Sequence, residues 1–299
     1  MAYTLESGTG DIRTQLFDGI VKGFALASYK FKQAVSVVPT TAWRNSFYRE
    51  SPDALTAATG SNAAVNAIKG IPRGAAFPQA AVQFERVLSV IEKYGLEDNI
   101  AWEDLIADDV DVRDRTLLRI AEGVAKGVDD EIWEVLTEGR GASFTIQTID
   151  ITGLAGRYWN VSSAAIIDDM LQAKQLIAEK NYPTENLMCF VSPEDHRSIM
   201  AYLAEKGAQF PSVGETIANN GSQGKVAGIQ LIMSNSVTAS YALIVVPKRC
   251  GTWKELKPLT TITKEDPLKS LTIRSAELGV TQLTDPKAVV LIKGTQTPF

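Results

Sequence analysis

Groups able to do chemistry are scarce in this chain. Its 299 residues hold one histidine, His196, and two cysteines, Cys189 and Cys250. That leaves no cluster at the spacing a structural or catalytic zinc requires and no disulfide framework. Cys189 sits in the apolar run Leu187-Met188-Cys189-Phe190-Val191 and reads as a reduced core thiol. Long apolar runs are missing too: nothing approaches the roughly 20 residues of a membrane span. The beginning, Met1-Ala2-Tyr3-Thr4-Leu5-Glu6, has neither a basic nor an apolar signal region. A soluble protein made in the cytoplasm, without membrane contact, is expected. Basic charge is also in short supply. With 30 Lys and Arg against 35 Asp and Glu, the net charge is -5 and the pI near 5.2. This excludes a protein that grips phosphates through a basic surface, because that grip needs clustered cations.

Catalytic motifs are equally sparse. A Ser/His/Asp arrangement would have to use Ser192, Asp195 and His196, yet Ser192-Pro193-Glu194-Asp195 is explained as a helix start, with Ser192 as N-cap and Pro193 at the first helical position. No Gly-x-Ser-x-Gly elbow accompanies it. A soluble hydrolase using Ser192 and His196 stays open only as an alternative. Gly221-Ser222-Gln223-Gly224-Lys225-Val226 has too short a glycine spacing for a phosphate loop, and Val226 stands where a hydroxyl is needed; it reads as a turn into a strand. The carboxylates Asp108, Asp109 and Asp111, and the pair Asp129-Asp130, lie at or within a helix, so cap and solvated-face roles account for them. Glu265-Asp266-Pro267 reads as a turn. No catalytic, cofactor-binding or metal-binding residue is expected, and no cofactor.

What the chain has is patterning. Its hydrophobic fraction of 45% supplies an ordinary core. Ile12, Leu16, Ile20, Phe24, Ala27 and Phe31 recur at helical spacing between Asp11 and Gln33, an amphipathic arm too thin to cover its own stripe. Val35 to Val38 reads as a strand, with Pro39 marking an edge or bend. From Ser51 to Gly74 follow small residues and turn formers with few apolar anchors, odd inside a compact domain and sensible as an excursion onto another subunit. Gln83 to Val90, running on toward Tyr94-Gly95, reads as a strand. Between Asp111 and Glu138 the stripe Leu117, Ala121, Val124, Val128, Ile132 and Val135 predicts a helix on the order of 40 Å long. Gly123 and Gly127 weaken it by about 1 kcal/mol each, which points to close approach of a neighbouring element. A second helix is expected over Ser162–Lys180, a third after Ser192, and strands at Leu187–Val191, Lys225–Met233 and Tyr241–Pro247. The chain is strand-rich from Trp253 to Ile292. The fold class is α+β, with helices and antiparallel strands segregated along the chain.

The order of these elements resembles the Hong Kong 97-type major capsid proteins of tailed double-stranded-DNA bacteriophages. The resemblance covers nearly the whole chain. It is carried by Ile71-Pro72-Arg73-Gly74-Ala75-Ala76-Phe77-Pro78, Trp102-Glu103-Asp104-Leu105, Gly127-Val128-Asp129-Asp130-Glu131-Ile132-Trp133, Val191-Ser192-Pro193-Glu194-Asp195, Lys225-Val226-Ala227-Gly228-Ile229 leading to Ser234-Asn235-Ser236, and Leu243-Ile244-Val245-Val246-Pro247. Each motif alone is moderately specific; their order persuades.

The resemblance implies an N-arm over 1–40, an extended loop over 41–92, a peripheral domain with the spine helix over 93–145 and 250–299, and an axial domain over 146–249. It further implies a subunit that partners itself in hexamers and pentamers of an icosahedral shell. Scaffold, portal and possible decoration proteins would be further partners, and packaged DNA would be touched loosely and non-specifically. The location would be the virion, and the host cytoplasm before assembly. A mildly acidic wall suits a container that must not stick to its contents. No room for a cleaved scaffolding region is seen before the arm. Cross-linking between an extended-loop lysine, for which Lys69 could stand, and a late asparagine is not expected, since Asn235 is the last asparagine. Deleting the arm to about Gln33, or the excursion, should leave a folded subunit that assembles poorly. The rivals are an encapsulin-type nanocompartment, which shares the fold, and a soluble α+β interaction protein.

Overall fold

The computed structural model describes residues 21, 29–50, 73–74, 84–103, 112–138, 146–152, 157–206 and 224–297. A 3-10 turn, Phe31–Gln33, leads into strands β1 (Ser36–Pro39), β2 (Arg44–Glu50), β3 (Phe84–Val90) and β4 (Glu92–Ala101), then the long helix α1 (Val112–Leu136). Next come β5 (Gln147–Asp150), α2 (Ile166–Glu179), β6 (Met188–Val191), α3 (Pro193–Lys206), β7 (Lys225–Val226), β8 (Ile229–Met233) and β9 (Tyr241–Val245). Two long strands, β10 (Gly251–Asp266) and β11 (Ser270–Leu283), and a short one, β12 (Val289–Lys293), complete the order.

Three sheets result. The first has the order β1-β10-β11-β4 and carries α1 against β4 and β11. Buried residues of α1 recur at three- and four-residue intervals, Leu117, Ile120, Ala121, Val124, Val128, Ile132 and Leu136, which is why the stripe in the sequence specified this helix. Each large side chain so covered contributes roughly 1.5–3 kcal/mol. The second sheet has the order β5-β12-β9-β6-β8-β7. Its central strands β12, β9 and β6 are buried at nearly every position, the mark of a sheet covered on both faces, with α2 against β12 and β5 and α3 against β6. The third is the two-stranded hairpin β2-β3. Buried residues of the first two sheets form one contiguous apolar cluster.

Several expectations need adjustment. Strand pairing is mixed: β1 with β10, β5 with β12 and β6 with β8 run parallel, so the strands are not purely antiparallel. β12 joins the second sheet, so the stretch 250–299 is shared between two sheets. α2 begins at Ile166, four residues after the expected start, behind an Ala165 that makes no side-chain cap. The arm helix falls largely outside the described residues; where it was expected to end, Phe31 sits in a 3-10 turn, fully buried. Residues 51–72, Lys69 among them, and Asp108, Asp109 and Asp111 also lie outside.

Candidate functional site

The pair kept open for hydrolysis is not assembled as nucleophile and base. Ser192 caps α3 as expected: its hydroxyl accepts the amide of Asp195 at 3.1 Å and donates to Asp195 Oδ2 at 2.7 Å. Asp195 is fully buried and accepts Gln296 Nε2 at 2.6 Å. Burial raises its carboxyl against the hydrogen bonds from Gln296 and Ser192. His196 meets Ser192 through the main chain alone, amide to carbonyl at 2.9 Å, and burial lowers its pKa. With its hydroxyl committed to the capping carboxylate of Asp195, Ser192 is not paired with the His196 imidazole. Burial likewise pushes the Cys250 thiol up to about 12 and the Cys189 thiol higher still, which makes both inert. Among the described residues no group of three His, Cys, Asp or Glu side chains could hold a metal ion. No helix among them is long and apolar enough to cross a membrane.

What is built, instead, is a point of attachment for the arm. Asp129 was expected on a solvated face together with Asp130. Asp130 is indeed exposed, but Asp129 is buried at 3% exposure. One turn of the helix explains the difference: Asp129 lies four residues beyond buried Ala125 and next to buried Val128, on the covered side. Its carboxylate accepts the amides of Lys30 at 2.7 Å, Phe31 at 3.2 Å and Lys32 at 3.4 Å, taking up donors that a short turn leaves unpaired. Burial still pushes the carboxyl up to about 6. Phe31 then stacks on Phe190 of β6, ring centroids 4.1 Å apart, and leans on Trp133 of α1 at 5.7 Å.

A second buried carboxylate, Glu277 on β11, accepts Tyr29 Oη at 2.5 Å, Lys32 Nζ at 2.6 Å and Trp253 Nε1 at 3.1 Å. Lys32 also reaches Glu255 at 3.2 Å, and burial raises the Tyr29 phenol. Residues 29–33 thus touch α1 and both large sheets, and Val21 is fully buried in the same core, so a deletion running to Gln33 would cut into the folded body. Glu277 belongs to no motif in the sequence. A signal existed, since Leu271, Ile273, Ser275, Glu277 and Gly279 alternate on the buried face of β11.

Beyond the body stands the β2-β3 hairpin. Strand alternation sends Asn45, Phe47, Arg49, Val87 and Ser89 inward, and its base is held by Gln282 Nε2 donating to Ser89 Oγ at 2.6 Å and by an Arg49–Glu138 ion pair at 3.2 Å. Cross-strand partners Arg44 and Val90, Ser46 and Leu88, Tyr48 and Arg86 face outward, where Tyr48 is 65% and Leu88 63% exposed. Trp43, at the hairpin's start, is 52% exposed. A two-stranded hairpin is marginal by itself, and apolar side chains lined up on its open face mark a contact surface. Between its inner face and the end of α1 lies an open cleft of about 420 Å³, walled by Phe47, Val87, Val135 and Leu283 and rimmed by Glu134 and Glu138.

A long helix laid on one sheet, a second sheet sharing its core, an anchored arm and a hairpin with an uncovered apolar face define the class: a shell subunit of the Hong Kong 97 type. Solved structures carry the same fold. The capsid of the cyanophage P-SCSP1u is similar with a TM-score of 0.65 at 13% identity, over 89% of this chain and 88% of that one. The mature capsid of bacteriophage PhiM1 gives 0.62 at 16% identity, over 90% and 88%. A virus-like particle from Pyrococcus furiosus gives 0.61 at 10% identity, over 94% and 99%. The chain belongs to the phage capsid protein family, whose model, described as phage capsid protein, matches residues 85–292. No curated protein matches it.

Proposed function

We propose that this chain is the major subunit of an icosahedral head, assembling into pentamers and hexamers that enclose double-stranded DNA, with no catalytic role. The observation that carries the reading is the hairpin face of Tyr48, Leu88 and Val90, which its own body leaves uncovered. A second copy is the economical cover, because each added subunit brings further contacts at high effective concentration. In this reading residues 1–40 act as arm, 41–92 as extended loop, 93–145 with 250–299 as the peripheral part, and 146–249 as the axial part. Scaffold, portal and decoration proteins are the expected further partners, and DNA is touched loosely by an acidic chain. The virion is its place, and the host cytoplasm before assembly.

Light scattering and negative-stain electron microscopy on the purified chain test this. Closed shells, or rings of five and six, are expected; a chain that stays monomeric at high concentration, with crowding agents and across salt conditions, counts against self-assembly without a scaffold and raises the soluble interaction protein in its place. The virus-like particle from Pyrococcus furiosus shares the fold, which keeps open a second reading, an encapsulin-type compartment. Nucleic acid inside purified particles supports the head, and copurified cargo protein supports the compartment.

A further inference from the structure

The chain is acidic as a whole, with a net charge of -5, yet one face of its first sheet is basic. Residues opposed in register share a face. Tyr94 opposes Glu277 and Leu96 opposes Ser275, and both lie beside the glycines of α1, so these pairs mark the face turned to the helix. The alternate positions face away from it. There Lys93 and Lys257 flank Leu278, Glu97 and Ile262 flank Arg274, Asn99 and Lys264 flank Thr272, and Lys254 opposes Val280. Lys93, Lys257, Lys264 and Arg274 are exposed and Lys254 is half-buried. Glu97 is the one carboxylate in these rows, and it accepts Arg274 Nε at 2.6 Å. At the turn beyond them Asp266 is met by Lys269 at 3.4 Å. Lys93, Lys254, Lys257 and Lys264 are left without a carboxylate partner among the described residues.

The make-up of this face selects its partner. Lys93 and Lys257 stand two strand spacings apart, about 10 Å, and Lys264 lies six register positions further along β11, about 20 Å. A duplex laid along that length presents about twelve phosphate charges. A protein partner fits less well, because lysine is depleted at the centre of protein interfaces and Ile262 is the one exposed apolar side chain in these rows. Nothing here is equipped to read bases either: Asn99 is the one amide side chain in the rows, and its carbonyl is taken by Thr272 at 2.5 Å. We infer that the sheet face opposite α1 is where the subunit touches DNA, meeting the phosphates of any sequence through Lys93, Lys254, Lys257 and Lys264. The inference rests on the shell-subunit reading and adds to it the face that looks inward. Four lysines on an otherwise acidic chain give a weak, salt-sensitive contact, which suits a container that must release its contents.

Fluorescence anisotropy with the full chain and a labelled duplex of about 20 base pairs tests it. At about 50 mM salt, two duplexes of unrelated sequence should bind equally, and log K should fall against log salt with a slope of about -3 to -4, as four phosphate contacts require. Lys93→Gln, Lys257→Gln and Lys264→Gln together should weaken binding about tenfold or more and flatten the slope by about 3, with melting and assembly unchanged. Arg115→Gln, Arg119→Gln and Lys126→Gln remove the same charge from the exposed side of α1 and should leave binding as it was. A parent that does not bind, a lysine variant that binds as the parent does, or an α1 variant that loses as much overturns the inference. So does poly-L-glutamate of matched charge binding this face more tightly than DNA, which would make an acidic protein the occupant, and so does a lysine variant that melts normally but no longer assembles, which would make the face a contact between copies. Should the lysine variant misfold, amine acetylation of the parent decides: bound duplex should shield Lys93, Lys257 and Lys264 but not Lys126, and equal labelling with and without DNA overturns the contact. Assembly is read separately, so a parent that assembles without such a face loses this inference and keeps the shell reading.

Discussion

Glu277 gathers donors from three parts of the chain: the phenol of Tyr29, the ammonium of Lys32 and the indole of Trp253. Removing a buried acceptor costs more than the bonds it made, because the donors stay behind without water. Glu277→Ala should therefore destabilise the monomer by about 3 kcal/mol in urea unfolding, moderated by the Glu255 contact that Lys32 keeps. Tyr29→Phe should cost about 1–2 kcal/mol in the parent and close to nothing in the Glu277→Ala background. Additive losses would mean that the short Tyr29 contact carries no energy. Asp129 makes a different prediction. Its pKa rises from 3.8 to about 6 in the fold, so the native state holds a proton that the unfolded chain has given up. Its contribution to stability is fully present below about 3.8 and is lost as pH rises through about 6. The stability difference between the parent and Asp129→Asn should thus move against the parent by about 2 kcal/mol from pH 4 to pH 7; a flat difference would show that the three amides fully offset the burial.

At the level of elements, α1 was legible because six apolar positions, Leu117 to Val135, fall on one stripe, five of them buried and Val135 half-buried, and the α3 cap because Ser192-Pro193 has a local mechanism. Parallel pairings such as β5 with β12 were not legible, since 147–150 and 289–293 meet only through the tertiary fold. Asp129 was misread for a related reason: beside Asp130 it looks like one of a solvated pair, and only the angle around the helix separates them. The glycines of α1 divide in the same way. A Cβ on Gly123 would come within 2.6 Å of Leu96 Cδ1, whereas on Gly127 the nearest atom, Tyr94 Cδ1, lies at an ordinary 3.9 Å. Close approach therefore explains Gly123 alone. Gly127→Ala should stabilise the monomer by about 0.5–1 kcal/mol through helix propensity. Gly279→Ala should cost about 2–3 kcal/mol, since its Cβ would overlap the buried indole of Trp253. Thermal melts of the two variants check both signs.

For the molecule as a whole, the body and the reaching parts divide at identifiable bonds. Two large sheets share one apolar cluster, and Asp285 ties them: it accepts Tyr182 Oη at 2.7 Å and Arg249 Nε at 3.3 Å, with the Arg249 guanidinium 4.6 Å from the centroid of the Tyr182 ring. The hairpin, by contrast, is fastened at its base by Ser89, Gln282, Arg49 and Glu138, and its outward face adds nothing to the body's core. Glu50 and Phe84 are directly opposed in register, so an Asn-Gly turn can join them in place of residues 51–83. The shortened monomer should keep its circular dichroism and melt within about 4 °C of the parent, because a change confined to this segment removes less than about 1 kcal/mol. On the proposed reading that this segment reaches onto neighbours, its yield of assembled particles, measured by sedimentation, should drop about tenfold or more. If the shortened chain instead lost its cooperative melt, residues 51–83 would belong to the folding body, and the economy of a compact subunit with reaching parts would have to be given up.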